Sequence, residues 1–105
     1  QSLEPMGNEF LGRPSPSLGE SAINRLLGAL AQSGLGRVVR RTDSALGLAS
    51  DEANDMWPET ITIEIDPDQV YVVFHAATGA DQERTLEIIH NVLRDAGVAC
   101  DFEEE

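Results

Sequence analysis

The strongest constraint on the fold is a strict alternation of apolar and polar residues over Glu59–Ile65. Every second position in this segment is an isoleucine: Ile61, Ile63 and Ile65. Because successive side chains of a strand point to opposite faces, this period predicts a strand with one face on a core and the other away from it.

A turn and a second strand follow directly. In Asp66–Gln69, Pro67 presets the backbone angle of the second turn position, and the Asp side chains can bond back to the main chain. The apolar run Val70–His75 then completes a predicted hairpin. Its near-continuous apolarity is typical of a central strand covered on both faces.

Two amphipathic helices are predicted. The first spans about 18–33, begins at the capping-box sequence Ser17–Glu20 and ends at Gly34 or Gly36, with apolar residues at helical spacing. The second begins at Thr78 or Asp81, ends at Gly97, and has its buried stripe at Leu86, Ile89, Leu93 and Ala96. A terminal strand over 98–102 follows, which makes a β-α-β unit whose two strands should be parallel.

The remaining segments have weaker signals. Residues 1–16 contain prolines and glycines without a period and are expected to be an irregular lead-in. We give 1–5 no weight, because a vector-derived stretch ahead of Met6 would look the same. A strand is predicted over 36–42, and 43–58 is expected to be a long irregular connection with a short helical turn near 44–48.

These elements predict a single α+β domain over 17–105. We expect a two-layer sandwich in which two helices cover one face of a mixed sheet, in the order α-(β)-β-β-α-β. This order is close to the split β-α-β pattern of ferredoxin-like folds.

The distribution of charge along the chain limits the classes of partner that the protein is expected to bind. Residues 51–105 contain fifteen Asp and Glu against Arg84 and Arg94, a balance of −13, whereas residues 1–50 balance to +1. Such a surface repels nucleic acid and anionic lipid and speeds encounter with basic proteins. No apolar run could span a membrane and the N-terminal residues show no signal-peptide pattern, so we expect a cytoplasmic protein. All seven basic residues are arginine in a chain rich in Ala, Gly and Leu, which favours a bacterial source with a GC-rich genome.

The residues that could bind a metal, act as a nucleophile or bind phosphate are better explained by structural roles. His75, His90 and Cys100 lack any metal-ligand spacing, and Cys100 alternates with Val98 and Phe102 as a core residue would. Thr78–Ala80 is a strand–helix joint more than a phosphate-binding turn. Arg37, Arg40 and Arg41 should pair with the protein's own carboxylates, with Arg37 and Arg41 on one strand face. No metal, cofactor or catalytic residue is therefore assigned.

The leading hypothesis is a small acidic inhibitor, of the bacterial immunity or antitoxin type, that occludes the active site of a basic toxin or enzyme. The alternative is a ferredoxin-like regulatory or dimerisation module that binds a small ligand. The acidic C-terminus is either a solubilising tail or a continuation of the binding face. We predict that the partner contacts one Trp and seven carboxylates: Asp51, Glu52, Asp55, Trp57, Glu59, Glu64, Asp66 and Asp68. Trp57 is either an exposed anchor of this face or a core residue at the sheet edge.

Overall fold

The computed structural model describes residues 8–50 and 58–105. This part of the chain forms, in order, β1 (Asn8–Ser15), α1 (Glu20–Ala31), β2 (Arg37–Arg41), β3 (Ala45–Ala49), β4 (Ile61–Asp66), β5 (Gln69–Phe74), α2 (Gly79–Asp95) and β6 (Ala99–Glu104). The strands form one sheet in the spatial order β2-β3-β4-β5-β1-β6, and all neighbours are antiparallel. The fold is α+β, as predicted, but the expected mixed sheet is wrong.

The sheet is antiparallel because of β1. Half of the segment expected to be an irregular lead-in is this strand, which lies between β5 and β6 and pairs with both. The strands β5 and β6 therefore run in the same direction without touching each other. Gly12 allows the close approach of β1 and β6, because a Cβ there would lie 2.7 Å from the Cys100 sulfur and 2.8 Å from the Phe102 ring. Hydrogen bonds to two neighbouring strands outweigh the turn-like composition that misled the prediction.

The second error concerns β3. The segment Ala45–Ala49 forms a strand between β2 and β4, where a helical turn was expected. All five of its residues are buried, so both of its faces are covered. The segment shows no alternation of apolar and polar residues, because neither face of the strand is exposed and so neither requires polar residues.

The helices lie close to their predicted positions but differ at the caps. Helix α1 begins after Gly19, which makes no side-chain cap, and the Ser17 hydroxyl instead donates to the Asp68 carboxylate in the β4–β5 turn (2.7 Å). In α2 the Thr78 hydroxyl accepts from the Asp81 amide, as the capping rule predicts. Gly97, just beyond α2, has a φ of +78°, a conformation that favours glycine. Arg84 of α2 donates to the Ser33 carbonyl at the end of α1 (2.8 Å) and so ties the helices together.

Both helices pack on the same face of the sheet, which we call the inner face. Their buried side chains belong to one cluster with the inner side chains of the central strands. Helix residues Leu26, Leu27, Leu30, Ile89 and Leu93 there meet Leu46, Leu48, Ile61, Ile63, Ile65, Val70, Val72 and Phe74. The three predicted isoleucines of β4 are all buried. Strand β5 is central but alternates between buried and partly buried positions, so the prediction that both of its faces are covered is wrong.

Neither α1 nor α2 is long and apolar enough to cross a membrane, and the described residues contain no other helix.

Candidate protein-binding face

The face of the sheet opposite the helices is the candidate site, and we call it the outer face. Strand register defines it: Glu64 pairs with Tyr71, Tyr71 with Leu11, and Leu11 with Glu103, so one row crosses β4, β5, β1 and β6. Seven carboxylates occupy this face or its rim: Glu9, Glu59, Glu64, Asp66, Asp101, Glu103 and Glu105. Arg13, Arg37 and Arg40 are the cations that the same registers place there.

The centre of the outer face is apolar. Leu11, Tyr71 and Val73 are partly buried neighbours on β1 and β5, and neither α1 nor α2 covers them. The Tyr71 hydroxyl donates to the Glu9 carboxylate. This bond, followed by partial desolvation and nearby carboxylates, raises the pKa of Tyr71 to about 12. An aromatic ring surrounded by carboxylates is the arrangement expected of a binding anchor for a basic protein.

A polar cluster lies at the β2–β4 side of this face. The Glu59 carboxylate lies over Gly47, where a Cβ would be only 2.5 Å from either carboxylate oxygen. Arg40 donates to Glu59 through Nε (2.9 Å), and the Thr62 hydroxyl donates to Glu59 Oε1 (2.7 Å). The hydrogen bond from Arg40 is the main cause that holds the pKa of Glu59 below its usual value, and Thr62 adds to it.

His75 completes the cluster, with Nε2 3.0 Å from the Thr62 hydroxyl oxygen. Because the single hydroxyl proton of Thr62 points to Glu59, Nε2 of His75 donates to this oxygen. The imidazole therefore does not act as a base toward the hydroxyl, and the arrangement is not a nucleophile–base pair. Its geometry anchors the β2 edge to β4.

Four of the eight predicted partner-binding residues lie within the described chain. Glu64 and Asp66 lie on the outer side of β4, and Glu59, which precedes the strand, reaches the same side by accepting from the Thr62 hydroxyl. Asp68 does not join them, because it sits in the β4–β5 turn and accepts from Ser17. Asp51, Glu52, Asp55 and Trp57 lie outside the described residues, so their predicted role and the question of whether Trp57 is an anchor stay predictions.

Sequence reasoning missed the β1 half of the face. Glu9 and Leu11 lie on the strand that was expected to be irregular, and Tyr71 was assigned to a strand covered on both faces. The apolar pair Phe10–Leu11 was the available signal, but the glycine and prolines around it obscured it. The C-terminal carboxylates Asp101, Glu103 and Glu105 lie on the same outer face as Glu64, which corresponds to the continuation of the acidic face and not to a detached tail.

The arginines of β2 are arranged differently from the prediction. A bulge between Val38 and Arg40 shifts the register, so Arg37 and Arg40 share the outer face and Arg41 lies on the inner side. Of the three, Arg40 forms an ion pair with the chain's own Glu59, which is the pairing the sequence predicted.

Cys100 and Thr78, which were considered as a nucleophile or metal ligand and as part of a phosphate-binding turn, have structural roles in the fold. Cys100 is buried, and burial together with Asp101 raises the pKa of its thiol to about 11, so it is a protonated thiol near neutral pH. Thr78 caps α2, and the lining of the nearby cavity of about 370 Å³ includes one carboxylate, Asp81, and one cation, Arg37, so its charges do not single out an anion. Within residues 8–50 and 58–105, no three His, Cys, Asp or Glu side chains are placed to hold a metal ion.

Comparison of the chain with protein-family models, with curated proteins and with solved structures finds no match.

Proposed function

We propose that this protein is a binding module whose outer face takes up a basic protein partner. The observation that carries the proposal is the apolar centre formed by Leu11, Tyr71 and Val73, which neither helix covers and which Glu9, Glu64 and Glu103 surround. Aromatic side chains at the centre of a charged rim are typical binding hot spots.

The charge of the chain supports the same partner. A net charge of −12 attracts a basic protein over long range and repels nucleic acid. Carboxylates on a flat sheet face can then occupy a cationic cleft in place of the phosphates of a substrate. We propose on this basis an inhibitor of the immunity or antitoxin type that occludes the active site of a basic toxin or enzyme.

The test uses two variants with equal charge change. Glu9→Gln/Glu64→Gln neutralises the rim around Tyr71, and Glu83→Gln/Glu87→Gln neutralises two exposed residues of α2 on the other side of the sheet. Each immobilised protein is exposed to a lysate of the source organism, and the basic protein captured by the wild type is purified for kinetics. Its association rate should fall at least about tenfold from low to physiological salt.

The rim variant should associate several times more slowly than the α2 variant at low salt. Equal rates for the two variants, or a rate that does not change with salt, would contradict the proposal. A homodimer that does not respond to salt and whose melting temperature rises with a metabolite would instead favour the ferredoxin-like regulatory module.

A further inference from the structure

The outermost strand β6 is a free edge of the sheet. It pairs with β1 on one side, and no strand in the described part of the chain pairs with its other side. The Glu105 amide donates to the Glu9 carbonyl (2.7 Å), which places the odd-numbered residues of β6 in hydrogen-bonded pairs with β1. The N–H and C=O groups of Cys100, Phe102 and Glu104 therefore point away from the sheet, in position to pair with another strand.

The two sides of β6 offer different surroundings to such a strand. On the outer side, Asp101 and Glu103 are exposed carboxylates. On the inner side, Cys100 is buried, Phe102 is partly buried, and Glu104 near the end of the strand is an exposed carboxylate. An open groove of about 370 Å³ lies between β6 and α2, and its lining includes His90, Arg94, Val98, Cys100 and Asp101.

We propose that β6 binds an extended basic segment of the partner as a seventh, antiparallel strand. The inference rests on the proposed function and specifies how the partner is held. Residues of the incoming strand on the outer side meet Asp101 and Glu103 and should be Lys or Arg. Residues on the inner side should be apolar where they meet Cys100 and Phe102, and a residue opposite Glu104 can be basic. Main-chain hydrogen bonds provide affinity in strand addition, and the alternating side chains provide specificity.

The opposite edge of the sheet does not offer this site. Strand β2 carries Arg37, Arg40 and Arg41, which repel a basic segment, and a bulge interrupts its register. A second copy of this chain is a poorer occupant of β6 than a basic partner, because each copy carries a net charge of −12.

The probe is a ten-residue peptide that alternates lysine and valine. Isotope-labelled protein is titrated with it, and amide hydrogen exchange is followed residue by residue. The amides of Cys100, Phe102 and Glu104 should become protected on binding, while the amide of Glu105, already bonded to Glu9, should change little. Unchanged exchange at these three amides in the peptide-bound protein would overturn the proposal.

Two further peptides separate strand addition from simple charge attraction. One has N-methyl groups on the valine amides and the other on the lysine amides, so each keeps the charge but loses the donors along one edge. The peptide methylated on the valine amides should lose at least about tenfold in affinity and the other should lose little, since the inward-facing valines lie opposite Cys100, Phe102 and Glu104 in hydrogen-bonded pairs. Equal binding of all three peptides would exclude strand addition and leave the proposed function standing.

Protein variants test the role of the carboxylates. Asp101→Asn/Glu103→Gln should weaken peptide binding several-fold, whereas Glu83→Gln/Glu87→Gln, with the same charge change on α2, should bind nearly as the wild type does. Equal binding by both variants would contradict the assigned side of β6. Sedimentation of the chain alone checks the other occupant: salt-sensitive self-association that Asp101→Asn/Glu103→Gln abolishes would show that β6 takes a second copy in place of a basic partner.

Discussion

The two faces of the sheet are formed by the same strands but differ in how deeply their side chains are buried. On β4 and β5 the inner positions are all 2% exposed or less, and they are occupied by Ile, Val and Phe. The outer positions between them carry Thr62, Glu64, Tyr71 and Val73, which remain partly or fully exposed. The inner face thus supplies most of the burial that stabilises the fold, and the outer face is free to present charge and an aromatic anchor.

A glycine on each face shows the same contrast. On the inner face Gly12 is needed because two buried or partly buried side chains, Cys100 and Phe102, pack against its backbone. On the outer face Gly47 makes room for a carboxylate and its hydrogen bonds. The absence of a side chain leaves room for apolar packing at Gly12 on the inner face and for a polar network at Gly47 on the outer face.

The largest expected effect compares adjacent residues on opposite faces. Phe74→Ala removes a fully buried ring that packs edge-on against Phe10, and it should lower the free energy of unfolding by about 3–5 kcal/mol. Val73→Ala, on the outer face, should cost about 1 kcal/mol or less. Urea unfolding of both variants measures the difference. Equal losses would mean that the outer face also belongs to the core.

A smaller effect concerns the polar cluster of the outer face. Because folding lowers the pKa of Glu59, its ion pair with Arg40 stabilises the fold above the unfolded value of 4.5, and this contribution is lost as the pH falls through the folded pKa. Glu59→Gln should therefore lower stability at neutral pH by about 1 kcal/mol or less, the range of exposed pairs. In acid the variant and the wild type should converge.

Urea midpoints across this pH range test that expectation, with Glu87→Gln as the control because Glu87 is exposed on α2. A difference between Glu59→Gln and wild type that stays constant into acid would show that lost packing, and not the ion pair, causes it.

The smallest effect leaves stability nearly unchanged and concerns the aromatic anchor. The chain has a single tyrosine, so the absorbance of ionised tyrosine reports Tyr71 alone. Its pKa should be near 12 in the wild type and should fall toward 10 in Glu9→Ala, which removes the acceptor of the hydroxyl. Circular dichroism at each pH confirms that the protein is still folded. An unchanged pKa of Tyr71 in Glu9→Ala would mean that its hydroxyl does not donate to Glu9. It would contradict the arrangement of carboxylates around the apolar centre of the outer face.

The fold could be predicted where one element shows a period of its own. The alternating isoleucines of β4 and the Asp66–Gln69 turn each satisfy a local rule, and the structure has both. The predicted stripe of α2 is right in part: Ile89 and Leu93 are buried and Leu86 is partly buried, but Ala96 is the C-cap and is exposed.

Two of the eight predicted site residues could be placed for the same reason, since Glu64 and Asp66 follow the period of β4. Glu59, in contrast, precedes the strand and reaches the outer face through its contacts with Thr62 and Gly47. Residues 8–15 and 45–49 could not be assigned because both segments owe their strand conformation to the neighbours that flank them.

The sequence by itself therefore determined the buried face of β4, the approximate positions of the two helices, the α+β class and the excess of negative charge. Only the tertiary structure decided that β1 enters between β5 and β6, because hydrogen bonding between distant strands depends on which partners are available and not on local composition. That insertion makes the sheet antiparallel. It also places Glu9 and Leu11 beside Tyr71 and brings Glu103 onto the face that Glu64 occupies, and so completes the acidic face proposed to bind a basic partner.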